Sequence, residues 1–343
     1  MLWSALLALG AASLQAAGFE AERSAAALGF GGLPALPRIQ VAAGPVPGGR
    51  LPQIRSALDF SGVHWPEGLT EADRAAFEVA LNISGSFEGN EGWVNLSNDF
   101  DGQGLSLGLL NQCLGQGSLQ PLLLSLRQGH PETMDVIFSS DHLKSLSGML
   151  DSWQSASGAE ARSGAPERRS WLDEPVAAMR AAGPSPDEAS VAWAEKNLYS
   201  DGGKTFDPVW KAEFIALAGN PEYVTLQIQA ALGYHDKAVA YQSRVGVREL
   251  RAYLMLFDVV VQNGGLYPDD LDDYAAYVKA NPHAKSAQKL QKLLALRLRH
   301  VRPKYVADVR SRKSAIIAGT GFVHGAKRDL PAEYGYDPLL VYR

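Results

Sequence analysis

Residues 82–120 read NISGSFEGNEGWVNLSNDFDGQGLSLGLLNQCLGQGSLQ, a run of glycine, asparagine and acidic side chains set between two apolar segments. Glycine at this density lets the backbone approach a ligand closely and take conformations closed to other residues. The apolar periodicity of the preceding segment stops near Gly85, so Glu88 is expected in the loop just after a helix. Asp99 and Asp101 fall in the glycine-rich loop beyond. Two carboxylates on facing sides of such a loop are what glycosidic cleavage requires. One, protonated, gives its proton to the leaving oxygen; the other, ionised, activates water or stabilises the cationic transition state. Burial and helix ends can divide two carboxyls between those roles. Spacing alone leaves other readings open: Asp in such loops is often a turn former or helix cap, and Glu after a helix is often merely solvated. A calcium loop would need acidic ligands at alternate positions and a closing Glu, which this run lacks.

Outward from this segment the chain reads as helices. Thr70 and Asp73 form a capping-box-like start to a helix carrying Phe77 and Leu81 and ending near Gly85. His142 to Trp153 is periodic and closes at Gly158, leaving Ser155 to Gly164 as an exposed loop. Asp187 to Leu198 follows Pro186. Asn220-Pro221-Glu222 opens a helix that runs past Tyr241. Val247 to Gln262 is strongly apolar and stops at Asn263-Gly264-Gly265, a helix C-cap pattern. Pro268 to Lys279 and Ala284 to Val301 complete the set. Strand-like alternation is scarce, so residues 61–343 are expected to form a mainly α domain.

Composition narrows the function. The chain has 343 residues, 46% of them apolar, with 32 basic against 37 acidic side chains and a formal charge of −5. Nucleic-acid binding, which draws on a strong basic surplus, is disfavoured. A single cysteine, Cys113, excludes an internal disulfide and every multi-cysteine metal site. No phosphate loop, zinc-protease helix or serine-hydrolase elbow is present, and neither cofactor nor metal is expected. The first 60 residues read as an apolar segment, Met1 to Phe19, followed by an Ala/Gly/Pro-rich arm. The apolar segment has the length of an export-signal core but lacks its basic leader. Secretion or periplasmic action, with secretion machinery or an immunity protein as partner, is the delivery it suggests.

The run Asp101-Gly102-Gln103-Gly104-Leu105-Ser106, with Gly108 and Asn111-Gln112-Cys113-Leu114-Gly115-Gln116-Gly117, resembles the signature of family 46 chitosanases. The segment Leu254 to Gly265, with Asp258 inside it, is similar to a second helix of that family. Ile317 to Gly325, ending in His324-Gly325, is similar to a motif of peptidoglycan-active relatives. The resemblance implies a two-lobed, lysozyme-like fold with a cleft between the lobes, and an inverting glycosidase. It implies Glu88 as general acid, Asp101 as base and Ser106 at the position that helps hold the attacking water. Gln103 stands where that family has Arg, and Ser106 where it has Thr. The spacing from Glu88 to Asp101, 101 − 88 = 13, is shorter than the family pattern, which keeps Glu91 as a second candidate acid.

Asp99, Gln103, Trp93 and His324 are the candidate substrate contacts, with Tyr234 and Tyr241 as further rings for stacking on sugars or packing in the core. Asp258 is either a paired carboxylate orienting the site or a core hydrogen-bonder. Cys113 is structural on the resemblance and a nucleophile only with a histidine beside it. Residues 285–313 hold ten Lys or Arg and one acid, Asp308. A basic face near the cleft would suit anionic peptidoglycan better than polycationic chitosan; the same run is equally a solvated helix face. The sequence therefore points to a muramidase-type hydrolase of peptidoglycan β-1,4 bonds, with a chitosanase or a non-catalytic wall-binding or phage-tail module as alternatives.

Overall fold

The computed structural model describes residues 58–99, 101–163, 185–200 and 205–343. The apolar start and most of the arm, on which the export and partner expectations rest, lie outside the described residues. In chain order the elements are α1 (Glu71–Glu88), β1 (Leu96–Ser97), β2 (Ser106–Leu107), β3 (Gln112–Cys113), α2 (Gln120–Gly129), α3 (Pro131–Ile137) and α4 (Ser140–Ser163). Then come α5 (Pro186–Asn197), β4 (Tyr199–Ser200), β5 (Thr205–Phe206), α6 (Pro208–Ala218), α7 (Pro221–Val245) and α8 (Leu250–Asn263). The chain closes with α9 (Pro268–Ala280), α10 (Ser286–Arg297), α11 (Val306–Ala318), the hairpin β6 (Thr320–Val323) and β7 (Ala326–Asp329), and α12 (Leu330–Tyr334).

Their apolar faces converge on two cores, which makes the fold mainly α and two-lobed. One core joins α1 to α8, α10 and α11 through Phe77, Leu81, Phe257 and Ile316. The other is built from α2, α4 and α6 around Leu123, Leu150, Phe214 and Leu217. Helix α7 serves both, with Tyr223 in the second core and Ile228 and Ala238 in the first. The β2–β3 hairpin also crosses between them: Leu107 lies in the second core and Leu109 in the first. Leu58 and Phe60, expected in the arm, already pack against the first core, Phe60 stacking on Trp65.

Local signals explain most helix ends. Thr70 and Asp73 make both arms of the capping box on α1. Asn220 accepts from the backbone of Glu222 and Tyr223, with Pro221 in the first turn of α7. Gly264 closes α8 at φ +70°. Two expectations are corrected. Helix α1 does not stop at Gly85; it runs to Glu88, because Gly85 serves packing and not termination. A Cβ there would stand 2.3 Å from Leu109 Cδ1. Helix α4 does not end at Gly158 either: Ser155 to Ser163 is helical, as its alanines and charged residues favour, and one glycine does not outweigh them.

Candidate active site

Glu88 is the last residue of α1 and not a loop residue, so its direction is set by a helix anchored in the first core. Its Oε1 makes an ion pair with Arg312 Nη1 of α11 at 2.7 Å. Asn111 Nδ2 donates to Glu88 Oε2 at 3.3 Å and to the Glu88 backbone carbonyl at 3.2 Å. Asn111 is held in turn by Asn95, whose Nδ2 donates to Asn111 Oδ1 at 2.7 Å. Asn111 adopts φ +49°, the left-handed region that Asn enters at lower cost than most residues. Glu91, the alternative acid, is exposed ahead of a 3-10 turn at Gly92–Val94.

Behind Glu88 lies a buried cluster of charges. Arg312 Nη2 donates to Asp258 Oδ1 at 2.6 Å, and Lys313 Nζ pairs with Asp258 Oδ2 at 2.7 Å. Asp258 and Lys313 are fully buried. Burial works to raise the Asp258 carboxyl, yet the Arg312 guanidinium and Lys313 ammonium outweigh it and hold it at about 2. Burial pulls the Lys313 ammonium down to about 8 against the attraction of Asp258. Asp258 is thus a paired carboxylate one arginine away from Glu88. Arg312 also lies over the Phe87 ring, its guanidinium carbon 5.0 Å from the centroid.

The second candidate, Asp101, lies in the loop between β1 and β2. Asp99 Oδ1 accepts from Gly104 N at 2.5 Å, and Asp101 Oδ1 accepts from Gln103 N at 3.3 Å, so both aspartates shape the loop. Gly102 and Gly104 take φ +77° and +75°, which the tight loop requires and other residues resist. Partial burial raises the Asp101 carboxyl above its ordinary value, with the Asp99 charge adding to the effect. Tyr199 donates to the Gly104 carbonyl at 2.6 Å and ties the loop to the second lobe. β2 pairs with β3, and their hairpin links the two carboxylates: Asn111 contacts Glu88, while Cys113, two residues on, donates through Sγ to Gln103 Oε1 at 3.3 Å.

The other sequence candidates are placed as follows. Ser106 is buried in β2, opposite Ser97 and Cys113. Gln103 turns its side chain onto Cys113 inside the loop. Burial pushes the Cys113 thiol up to about 12, so it is no nucleophile at neutral pH. Trp93 donates from its indole to the Asp59 carbonyl at 3.0 Å and meets Phe60 edge-on. Tyr241 is in the core, bonded to both backbone groups of Leu266. Tyr234 packs against the first core, where burial pushes its phenol up to about 12. His324 occupies the β6–β7 turn with Gly325, both at positive φ, and bonds through Nε2 to Asp308 Oδ1 at 2.7 Å.

The basic run is divided between surface and interior: Lys285, Lys304 and Arg310 are exposed. Arg297, Arg312 and Lys313 are buried, and Arg299 is paired with Asp270 and Asp273 at 3.1 and 2.7 Å. Sequence reading missed Arg312, Lys313, Asn95 and Asn111. Nothing local marks the first two, whose roles come from helices α1, α8 and α11 meeting. Asn111, before a Gln-Cys strand and after Gly108, carried a turn signal only.

No family model matches the chain, and no curated protein does. Two solved structures are similar to it. A GH46 chitosanase from Gynuella sunshinyii, in complex with chitotetraose, is 14% identical with a TM-score of 0.41, over 73% of this chain and 87% of that one. A mutant chitosanase from Bacillus subtilis, complexed with six GlcN, is 12% identical with a TM-score of 0.40, over 77% and 98%.

Proposed function

We propose that the chain is a glycoside hydrolase acting on a β-1,4-linked amino-sugar polymer, with Glu88 as general acid and Asp101 as general base. The observation that supports it best is the β2–β3 hairpin, which contacts Glu88 through Asn111 and the Asp101 loop through Cys113. Glu88, protonated, gives its proton to the glycosidic oxygen as the bond breaks. Asp101, ionised, takes a proton from the attacking water, and its raised basicity favours that transfer. Arg312 fixes the direction of Glu88, and Asp258 offsets the charge of Arg312. Within this reading chitosan becomes the first substrate. Asp99 and Asp101 share one loop, a setting that suits a cationic polymer. Peptidoglycan is the second substrate.

The experiment is mass spectrometry of products from chitosan and from purified peptidoglycan, with wild type and Glu88→Gln. Chitosan oligomers lost in the variant support the proposal. Muropeptides with reducing N-acetylmuramic acid ends transfer it to peptidoglycan, and anhydro ends indicate a lytic transglycosylase. No product from either polymer leaves a binding module as the better account. Proton NMR of the first-formed anomer tests inversion.

A further inference from the structure

We propose that Tyr199 is a positioning residue that clasps the loop of Asp101 at both ends; this rests on the reading of Asp101 as general base. The loop runs from Asp99 to Gly104, with Asp101 between them. The Tyr199 hydroxyl donates to the Gly104 carbonyl at 2.6 Å, and the Asp99 backbone N–H bonds to the same phenol oxygen. One oxygen thus joins the two ends of the loop from outside. The Asp99 carboxylate joins them from inside, its Oδ1 accepting from Gly104 N at 2.5 Å. Asp101 has a longer bond of its own, Oδ1 accepting from Gln103 N at 3.3 Å. Its direction follows the shape of the loop, and the clasp sets that shape.

Packing holds Tyr199 in place. It is buried in β4, in register with Phe206 of β5, whose ring meets it edge-on with centroids 4.9 Å apart. The loop is pressed against the neighbouring α5: a Cβ at Gly104 would stand 3.1 Å from Val191 Cα. A carbonyl buried in such a contact needs a donor, and for Gly104 the phenol supplies it. Among the described residues, the titratable groups facing Asp101 are Asp99 of its own loop, Cys113 of β3 and Tyr199. Burial holds the Cys113 thiol up at about 12 and raises the Tyr199 phenol above its ordinary range. Both therefore stay neutral, and the phenol stays a donor. The partial burial that raises the Asp101 carboxyl lasts only while the loop is closed.

The test uses the full chain carrying Tyr199→Phe, which removes the hydroxyl and keeps the ring, assayed on whichever polymer the wild type cleaves. The control is Tyr274→Phe, which removes the same kind of bond elsewhere, from a buried phenol of α9 to the Val245 carbonyl at 3.0 Å. Tyr199→Phe is expected to lower kcat by about tenfold with KM within about twofold. The acid limb of kcat/KM is expected to move down towards the ordinary aspartate value of 3.8, as the opened loop returns Asp101 to water. Tyr274→Phe is expected to keep both the rate and the limb. Wild-type kcat or an unmoved acid limb in Tyr199→Phe overturns the proposal, as does an equal change in Tyr274→Phe. Should Tyr199→Phe not fold, Phe206→Leu decides, since it frees the ring and keeps the hydroxyl: an acid limb below that of the wild type supports the proposal, and an unmoved one overturns it. If the wild type cleaves neither polymer, the glycosidase reading fails by itself. Carbon-13 NMR of the Asp101 carboxyl then reads the clasp directly. Its titration midpoint is expected to fall in Tyr199→Phe and to stay in Tyr274→Phe, and an unmoved midpoint in Tyr199→Phe overturns the inference.

Discussion

Arg312 touches Glu88 with one nitrogen and Asp258 with the other, at 2.7 and 2.6 Å, and so joins the end of α1 to the middle of α8 through a buried guanidinium. Removing one member of a buried ionic set leaves its partners uncompensated, whereas the intact set is close to neutral in its own stability. Arg312→Ala should therefore destabilise the fold by about 3–5 kcal/mol. Urea unfolding measures this, and a loss under about 1 kcal/mol would show that the cluster is hydrated.

The pH profile should carry the mark of Asp101. Its carboxyl is raised by burial, with Asp99 adding to it, so kcat/KM should begin to fall on acidification above the ordinary aspartate value of 3.8. Asp99→Asn keeps an oxygen for the Gly104 N–H but removes the like charge. The acid limb should then move to lower pH. A limb that stays in place would remove Asp101 from the role of base.

Asn111 donates both to the Glu88 carboxylate and to its backbone carbonyl. Asn111→Gly accepts the positive φ and deletes both bonds to Glu88. The expected outcome is a kcat lower by about tenfold, at a stability cost of about 1 kcal/mol. Stopped assays and thermal melts separate the two. A rate unchanged from wild type would show that Arg312 alone directs the acid.

His235 should govern stability in mild acid. Burial drives its imidazole down to about 4 from 6.5, against the attraction of Asp73, and its Nδ1 bonds to the Tyr253 hydroxyl at 2.7 Å. The folded state therefore resists a proton that the unfolded chain takes up near 6.5. The contribution is fully present above that pH and is lost as pH falls towards about 4, amounting to about 3 kcal/mol. Denaturant melts between pH 7 and 4 should show the decline, and His235→Gln should flatten it. A wild-type slope no steeper than the variant's would exclude His235 as its source.

The helices at Thr70, Asn220 and Asn263-Gly264 could be read directly, because caps and C-terminal glycines act on their nearest neighbours in the chain. Carboxylates at Glu88 and Asp101 could be noticed for the same reason: their chemistry and the glycine around them are local. Gly85 and Gly158 misled, since a glycine needed to admit Leu109 looks in sequence like one that ends a helix. What neighbours in space do to a charge was not written locally. Ten basic side chains in residues 285–313 read as a surface, and only folding showed that Arg297, Arg312 and Lys313 point inward. The sequence alone determined which side chains could carry acid and base and where most helices begin. The meeting of α1, α8 and α11 decided that Glu88, Asp258, Arg312 and Lys313 form one cluster, because a buried ion pair forms only where tertiary packing brings opposite charges together out of water.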